Sequence, residues 1–152
     1  MSDRPANIWG ELDAIGEGVS GARLLERPRG TKLVSAVWEL APGASSGPYH
    51  AHHATEELLV VLAGTPTLRT PDGERELALG DVAHFPLGAA GAHQVINRSD
   101  APARYLVTAA HSGLDVIEYI DERRVVAYSH RPSALSEETL FLSHDLGSAE
   151  PN

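Results

Sequence analysis

The chain has 152 residues, 42% of them hydrophobic, a content that suits one globular domain with a single core and is too high for a disordered chain. Its 21 acidic residues against 12 basic ones give a formal charge of −9, which repels a phosphate backbone and argues against a nucleic-acid partner. Cysteine is absent, so disulfides and thiolate metal sites are excluded, and any bound metal must be held by nitrogen and oxygen.

The opening segment, MSDRPANIWGELD, is polar and lacks the apolar core of a signal peptide. No apolar run approaches the ~20 residues that span a bilayer. These features predict a cytoplasmic protein with no membrane partner, folded as a single domain over residues 1–152.

In chain order, Ala22 to Glu26 reads as a short strand and Thr31 to Leu40 as a firmer one. In the latter, Val34, Ala36, Trp38 and Leu40 alternate with Leu33, Ser35, Val37 and Glu39. Pro42-Gly43 marks a turn. A histidine-rich segment follows, then a strand from about Glu56 to Ala63, broken by Gly64. Thr65 to Thr70 and Arg75 to Leu79 form a hairpin around Pro71-Asp72-Gly73, where proline presets φ and glycine accepts the left-handed region. Gly80-Asp81 turns the chain into Val82 to Phe85. A Pro86-to-Gly91 loop leads to a short strand over Ala92 to Asn97. Ala103 to Ala110 and Asp115 to Ile120 are two further β-prone runs. Ser136 to Leu142 is expected to be helical, with Ser136 as its cap and Glu137 and Glu138 in its first turn. Many short strands bounded by Gly, Pro, Asp and Ser predict an all-β sandwich or barrel.

The chemistry concentrates in HAHHATEE, residues 50–57. Alternate residues of a strand share a face, so His50 and His52 aim the same way. Glu57 heads the apolar run LLVVLA, which ends at Gly64. Imidazole nitrogens and a carboxylate oxygen that converge form a ligand set for a first-row divalent metal. The run Leu58 to Ala63 is apolar at every position, whereas a strand with one wet face alternates. Both faces should therefore be covered, one by the barrel interior and the other by the N-terminal segment or a second subunit; a homodimer is the expectation. By parity, Leu59, Val61 and Val95 should point inward.

A second block reads GDVAHFPLGAAGAHQVIN, from Gly80 to Asn97. The two blocks resemble the two motifs of the cupin superfamily. His50, His52, Glu57 and Gly64 match the first; Gly80, Pro86, Gly88, His93 and Asn97 match the second. The resemblance covers residues 30–120, and is closer still to small single-domain bacterial cupins with a PYHxH…EELLVVL-like block. It departs at three points. The stretch from Pro42-Gly43 to His50 is one residue longer than the pattern. Four residues rather than two separate Gly88 from His93. The carboxylate is doubled, and only parity and the gap to Gly64 select Glu57 over Glu56.

The resemblance implies a double-stranded β-helix, or jelly-roll, barrel with an N-terminal extension and a short C-terminal helical segment. It implies four metal ligands, His50, His52, Glu57 and His93, around one divalent transition metal (Fe, Mn, Ni, Co or Zn). Asn97 is expected to support a turn rather than the metal. His53 and Glu56 should lie outside the site, His84 at solvent or an interface, and His111, His130 and His144 at the surface. Two functions fit: a metal-dependent oxidoreductase of dioxygenase type, or isomerase, acting on a small polar molecule; or a non-catalytic cupin that binds a sugar or small acid. The sequence names no catalytic or substrate-binding residue beyond the ligands.

Overall fold

The structure is a computed structural model that describes residues 6–25, 32–111, 113–132 and 139–147, with side chains outlined through Ser129 and again from Phe141. The described residues contain thirteen strands: β1 (Asp13–Gly16), β2 (Val19–Arg23), β3 (Leu33–Leu40), β4 (His50–His52), β5 (Thr55–Ala63), β6 (Thr67–Thr70), β7 (Gly73–Glu76), β8 (Val82–Phe85), β9 (Gln94–Ile96), β10 (Ala103–His111), β11 (Leu114–Tyr119), β12 (Arg124–Pro132) and β13 (Thr139–Asp145). A 3₁₀ turn at Ala89–Gly91 is the one helical element among the described residues.

One layer is a six-stranded antiparallel sheet in the order β1-β2-β3-β10-β5-β8. The other consists of a four-stranded sheet, β13-β12-β11-β4, and a three-stranded sheet, β7-β6-β9. These two are stitched together by isolated bridges, Ser45 to Ile96 and His50 to His93. The second stitch is a full antiparallel exchange: His50 N–H donates to the His93 carbonyl at 3.1 Å, and His93 N–H to the His50 carbonyl at 2.8 Å. Two histidines separated by a hairpin thus become neighbours through their backbones.

Register decides what faces the interior. Glu57, Leu59 and Val61 of β5 stand opposite Ala109, Val107 and Tyr105 of β10, which in turn oppose Val34, Ala36 and Trp38 of β3. Leu59, Val61 and Val95 are fully buried, as parity predicts, in a core with Leu40, Leu68, Leu77, Ala83, Phe85 and Tyr105. Each such side chain contributes roughly 2 kcal/mol by leaving water.

The other face of β5 is less covered. Leu58 is 41% exposed and Val82 beside it 58%. The N-terminal segment reaches the neighbouring strands, where Arg104 donates from Nη1 to the Ile8 carbonyl and from Nε to Glu39. It therefore supplies cover over β10 and β3, while Leu58 and Val82 keep half their surface in water.

The expected helix at Ser136 to Leu142 is corrected. Thr139 to Leu142 belong to β13, which pairs antiparallel with β12; Ser136, Glu137 and Glu138 lie outside the described residues. A capping pattern is local, and hairpin pairing with a strand that the sequence reading did not include overrides it. The N-terminal extension is a β1–β2 hairpin that adds to the sheet beside β3.

Candidate metal centre

His50 and His52 form β4 with the buried Ala51 between them, so both rings leave the same face. Glu57 enters on the inner face of β5. One ligand atom from each of His50, His52 and Glu57 lies within 4.8 Å of the other two. His93 arrives from the loop. Its two extra residues relative to the motif are taken up by the 3₁₀ turn at Ala89–Gly91, which delivers His93 just ahead of β9. Gly91 allows this loop to close, since a Cβ there would sit 1.7 Å from the Pro86 carbonyl oxygen. The His93 Nε2 lies 3.2 Å from Glu57 Oε2, and His52 Nε2 lies 3.7 Å from the same oxygen. The His93 ring stacks on Phe85, with centroids 3.7 Å apart and planes 8° from parallel.

The Nδ1 atoms are all occupied. His50 Nδ1 bonds the Pro48 carbonyl at 2.9 Å, and His93 Nδ1 bonds the Gly91 carbonyl at 2.8 Å. Carbonyls only accept, so both rings carry hydrogen on Nδ1, and in its neutral form each presents Nε2 as a lone pair. His52 Nδ1 meets Asp115 Oδ2 at 2.6 Å. Three Nε2 atoms and one carboxylate therefore converge, a donor set that fits a divalent transition metal.

The electrostatics agree. Burial, with the nearby His93, lowers the His50 pKa to about 4, so this imidazole is neutral at neutral pH. Burial also opposes charge on His52, but the Asp115 hydrogen bond and Glu57 outweigh it and raise its pKa. Burial disfavours the Glu57 carboxylate, yet the His93 hydrogen bond and the surrounding imidazoles hold its pKa below normal. Asp115 is held down to about 2: burial works against its charge, and hydrogen bonds from His52 and the Ala54 N–H overcome it.

Two cavities of about 130 Å³ each border the cluster. One runs inward past His50, Glu57 and His93 to Leu59, Ser46 and Tyr105. The Tyr105 side chain is buried, which raises its pKa, with Ser46 beside its hydroxyl. The other lies beside His52, Thr55 and Glu57 and is walled by Trp38, His111 and Tyr128.

The sequence-nominated residues sort as follows. His53 and His84 are exposed and pair with Glu118 and Glu56 at 2.7 and 2.6 Å. Glu56 faces out, as expected. His144 is exposed, and the His130 side chain lies outside those described. Asn97 is fully buried, donating to the Leu40 and Ala101 carbonyls while its Oδ1 accepts from Ser99, so it braces the turn after β9. His111 is a correction: expected at the surface, it is 5% exposed. It ends β10 on the inner face, opposite Thr55, two residues beyond Ala109. Its parity with Ala109 was the available signal. Asp115 was missed altogether, because only the pairing of β11 with β4 brings it to His52.

Residues 36–109 match the family model of the Cupin domain. Among solved structures, a cupin-superfamily sugar phosphate isomerase from Silicibacter pomeroyi is similar, with 29% identity, a TM-score of 0.72, and coverage of 83% of this chain and 76% of that one. A Cupin 2 conserved barrel domain protein from Salinispora arenicola aligns at 25% identity and a TM-score of 0.57, over 74% of this chain and 90% of that one. The polyketide cyclase RemF from Streptomyces resistomycificus shares the fold at 24% identity and a TM-score of 0.59, over 72% and 80%. Curated proteins give no match. Fold, motif match and histidine–glutamate cluster agree, and residues 36–109 form a Cupin domain.

Proposed function

We propose that this cupin is a metal-dependent enzyme, an isomerase in preference to a dioxygenase, acting on a small hydroxycarbonyl compound. The carrying observation is the convergence of His50, His52 and Glu57 with His93, each imidazole turned by its Nδ1 partner so that Nε2 faces the group. A bound divalent ion would polarise a carbonyl or hydroxyl oxygen as a Lewis acid. His50, His52, Glu57 and His93 are the residues that would hold it.

The chain's own groups narrow the substrate. The charges of Glu57 and Asp115 together balance a divalent ion, so the loaded centre has no net charge to attract an anion. No Lys or Arg is among the described residues that line either cavity. A phosphate group therefore finds no cationic partner there, and the phosphorylated substrate class of the Silicibacter relative is not carried over. Each cavity is small, which suits a body of a few heavy atoms. His111 Nδ1 accepts the Gly113 N–H at 2.7 Å, so the neutral ring keeps its proton on Nε2. The buried Tyr105 hydroxyl serves the inner cavity as a hydrogen-bond donor to a ligand oxygen.

The test is elemental analysis of protein purified without added metal, followed by incubation with three- to five-carbon hydroxyaldehydes and hydroxyketones in D₂O. Stoichiometric metal, with chelator-sensitive deuterium incorporation next to the carbonyl, is the expected result. Substrate-dependent O₂ uptake would instead favour the dioxygenase. Metal with neither reaction would leave a ligand-binding cupin, and absence of metal would end both enzyme readings.

We also propose that a second copy covers Leu58 and Val82 on the outer face of β5 and β8, giving a cytoplasmic homodimer. A monomer by light scattering at micromolar concentration overturns it. No helix among the described residues is long and apolar enough to cross a membrane.

A further inference from the structure

We infer that Asp115 is the positioning residue that sets the tautomer of His52 and thereby the metal affinity of the centre. This rests on the metal-binding reading above. Of the three histidines in the cluster, His50 and His93 are oriented by backbone carbonyls, which no substitution removes. His52 alone is oriented by a side chain.

The geometry of Asp115 leaves it little choice. Its side chain is fully buried. Oδ1 accepts two backbone N–H groups, from Ala54 and Val116, each at 2.8 Å. Oδ2 faces His52 Nδ1 at 2.6 Å. The carboxylate thus clamps the turn between β4 and β5 with one oxygen and the imidazole with the other. The His53 N–H to Val116 carbonyl bond, 2.9 Å, holds the same turn from the backbone side. An ionised carboxylate only accepts, so the neutral His52 ring must carry its proton on Nδ1 and leave the Nε2 lone pair toward Glu57. Carboxylate partners of ligating histidines fix orientation and raise basicity in this way.

Asp115→Asn separates orientation from shape. The two backbone donors at Oδ1 retain an acceptor only if the amide oxygen stays there. The amide NH₂ then faces His52 Nδ1. A donor opposite Nδ1 forces that nitrogen to accept, and the neutral ring's proton moves to Nε2, the atom that should ligate. Flipping the amide relieves this only by setting NH₂ against two buried N–H groups. Asp115→Asn therefore traps the wrong tautomer, whereas Asp115→Ala leaves His52 without a partner but free to take either form.

Two measurements test this. Long-range ¹H–¹⁵N spectra of the metal-free protein at pH 9 should show His52 with hydrogen on Nδ1 in the wild type and on Nε2 in Asp115→Asn. Competition of Zn(II) against a chromophoric chelator should show affinity in the order wild type, Asp115→Ala, Asp115→Asn, with the last weakened about 10–100-fold. A wild-type His52 protonated on Nε2 overturns the inference and needs no variant to fold. Equal zinc affinity in the wild type and Asp115→Asn, or equal losses in the Asn and Ala variants, also overturns it, the latter because lost charge would then suffice. A wild type that binds no zinc refutes the metal reading instead, and the tautomer spectra remain to judge Asp115 by itself.

Discussion

Glu56 and Glu57 are adjacent on β5, and His52 and His53 are adjacent at the end of β4, yet each pair divides between two environments. On the inner side Glu57 meets three imidazoles, with side chains only 14% exposed at Glu57, 11% at His52 and 8% at His93. On the outer side Glu56 pairs with His84, and His53 with Glu118, through side chains 43–54% exposed. The outer contacts, 2.6 and 2.7 Å, are as short as any inside. Distance therefore does not distinguish the two sides. Burial and convergence do: inside, several groups share one desolvated space and shift one another's protonation, while outside each pair stands alone in water, where screening leaves it worth little.

That contrast is broken most severely at the ligands. Glu57→Gln and His50→Ala should each weaken metal binding by more than about 100-fold, beyond the range expected of an outer partner. Glu56→Gln should leave it unchanged. Metal content after chelator dialysis and reloading gives the answer, and an equal loss at Glu56 and Glu57 would erase the assignment of the two faces. Next in size is a purely structural effect. Asn97→Ala removes the donor to two carbonyls at the turn after β9. It should cost about 3 kcal/mol in chemical denaturation, by leaving those groups unpaired, while the folded fraction still loads metal fully.

A pH titration sharpens the inner side. The native His50 resists protonation down to about pH 4, whereas the unfolded residue takes a proton near 6.5. In that window the unfolded state binds more protons, so the His50 contribution to stability is complete above pH 6.5 and is lost as pH falls toward 4. His52 has the opposite sign. Its raised pKa stabilises the metal-free fold at low pH, and that contribution is lost as pH rises through the raised value. His50→Gln should therefore make the metal-free protein less acid-sensitive between pH 6.5 and 4, whereas His52→Gln should remove a loss of stability that sets in as pH rises above 6.5. Denaturant midpoints on both sides of pH 6.5 check the two signs.

Much of this was legible in the residues. Period-two alternation separated Glu57 from Glu56 and His52 from His53, and the same parity placed Leu59, Val61 and Val95 in the core. The glycines that break strands were readable too. Gly64 has φ of 73°, and a Cβ there would meet the Pro102 carbonyl oxygen at 2.5 Å, so only glycine fits. What escaped was non-local. Asp115 sits more than sixty residues from His52 and reaches it through antiparallel pairing, which no local pattern encodes. His111 lies in a stretch that looks polar, and only its register opposite Thr55 turns it inward. At the C-terminal end, Ser136, Glu137 and Glu138 imitate a helix start, but the following residues are committed by pairing to β12.

The smallest expected effect tests whether the outer pairs are as idle as their exposure implies. A double-mutant cycle on Glu56 and His84, using Gln at both positions, should give a coupling of about 0.2–1 kcal/mol that shrinks in 0.5 M salt. The corresponding cycle on Glu57 and His93 should give a larger coupling that salt scarcely changes, because those groups are buried and screened less. Both pairs join a glutamate to a histidine, and both glutamates come from the same strand. If the outer coupling equalled the inner one, or held at high salt, solvent would not be what separates the two faces, and the outer pair would need a role such as closing a subunit interface beside Leu58 and Val82.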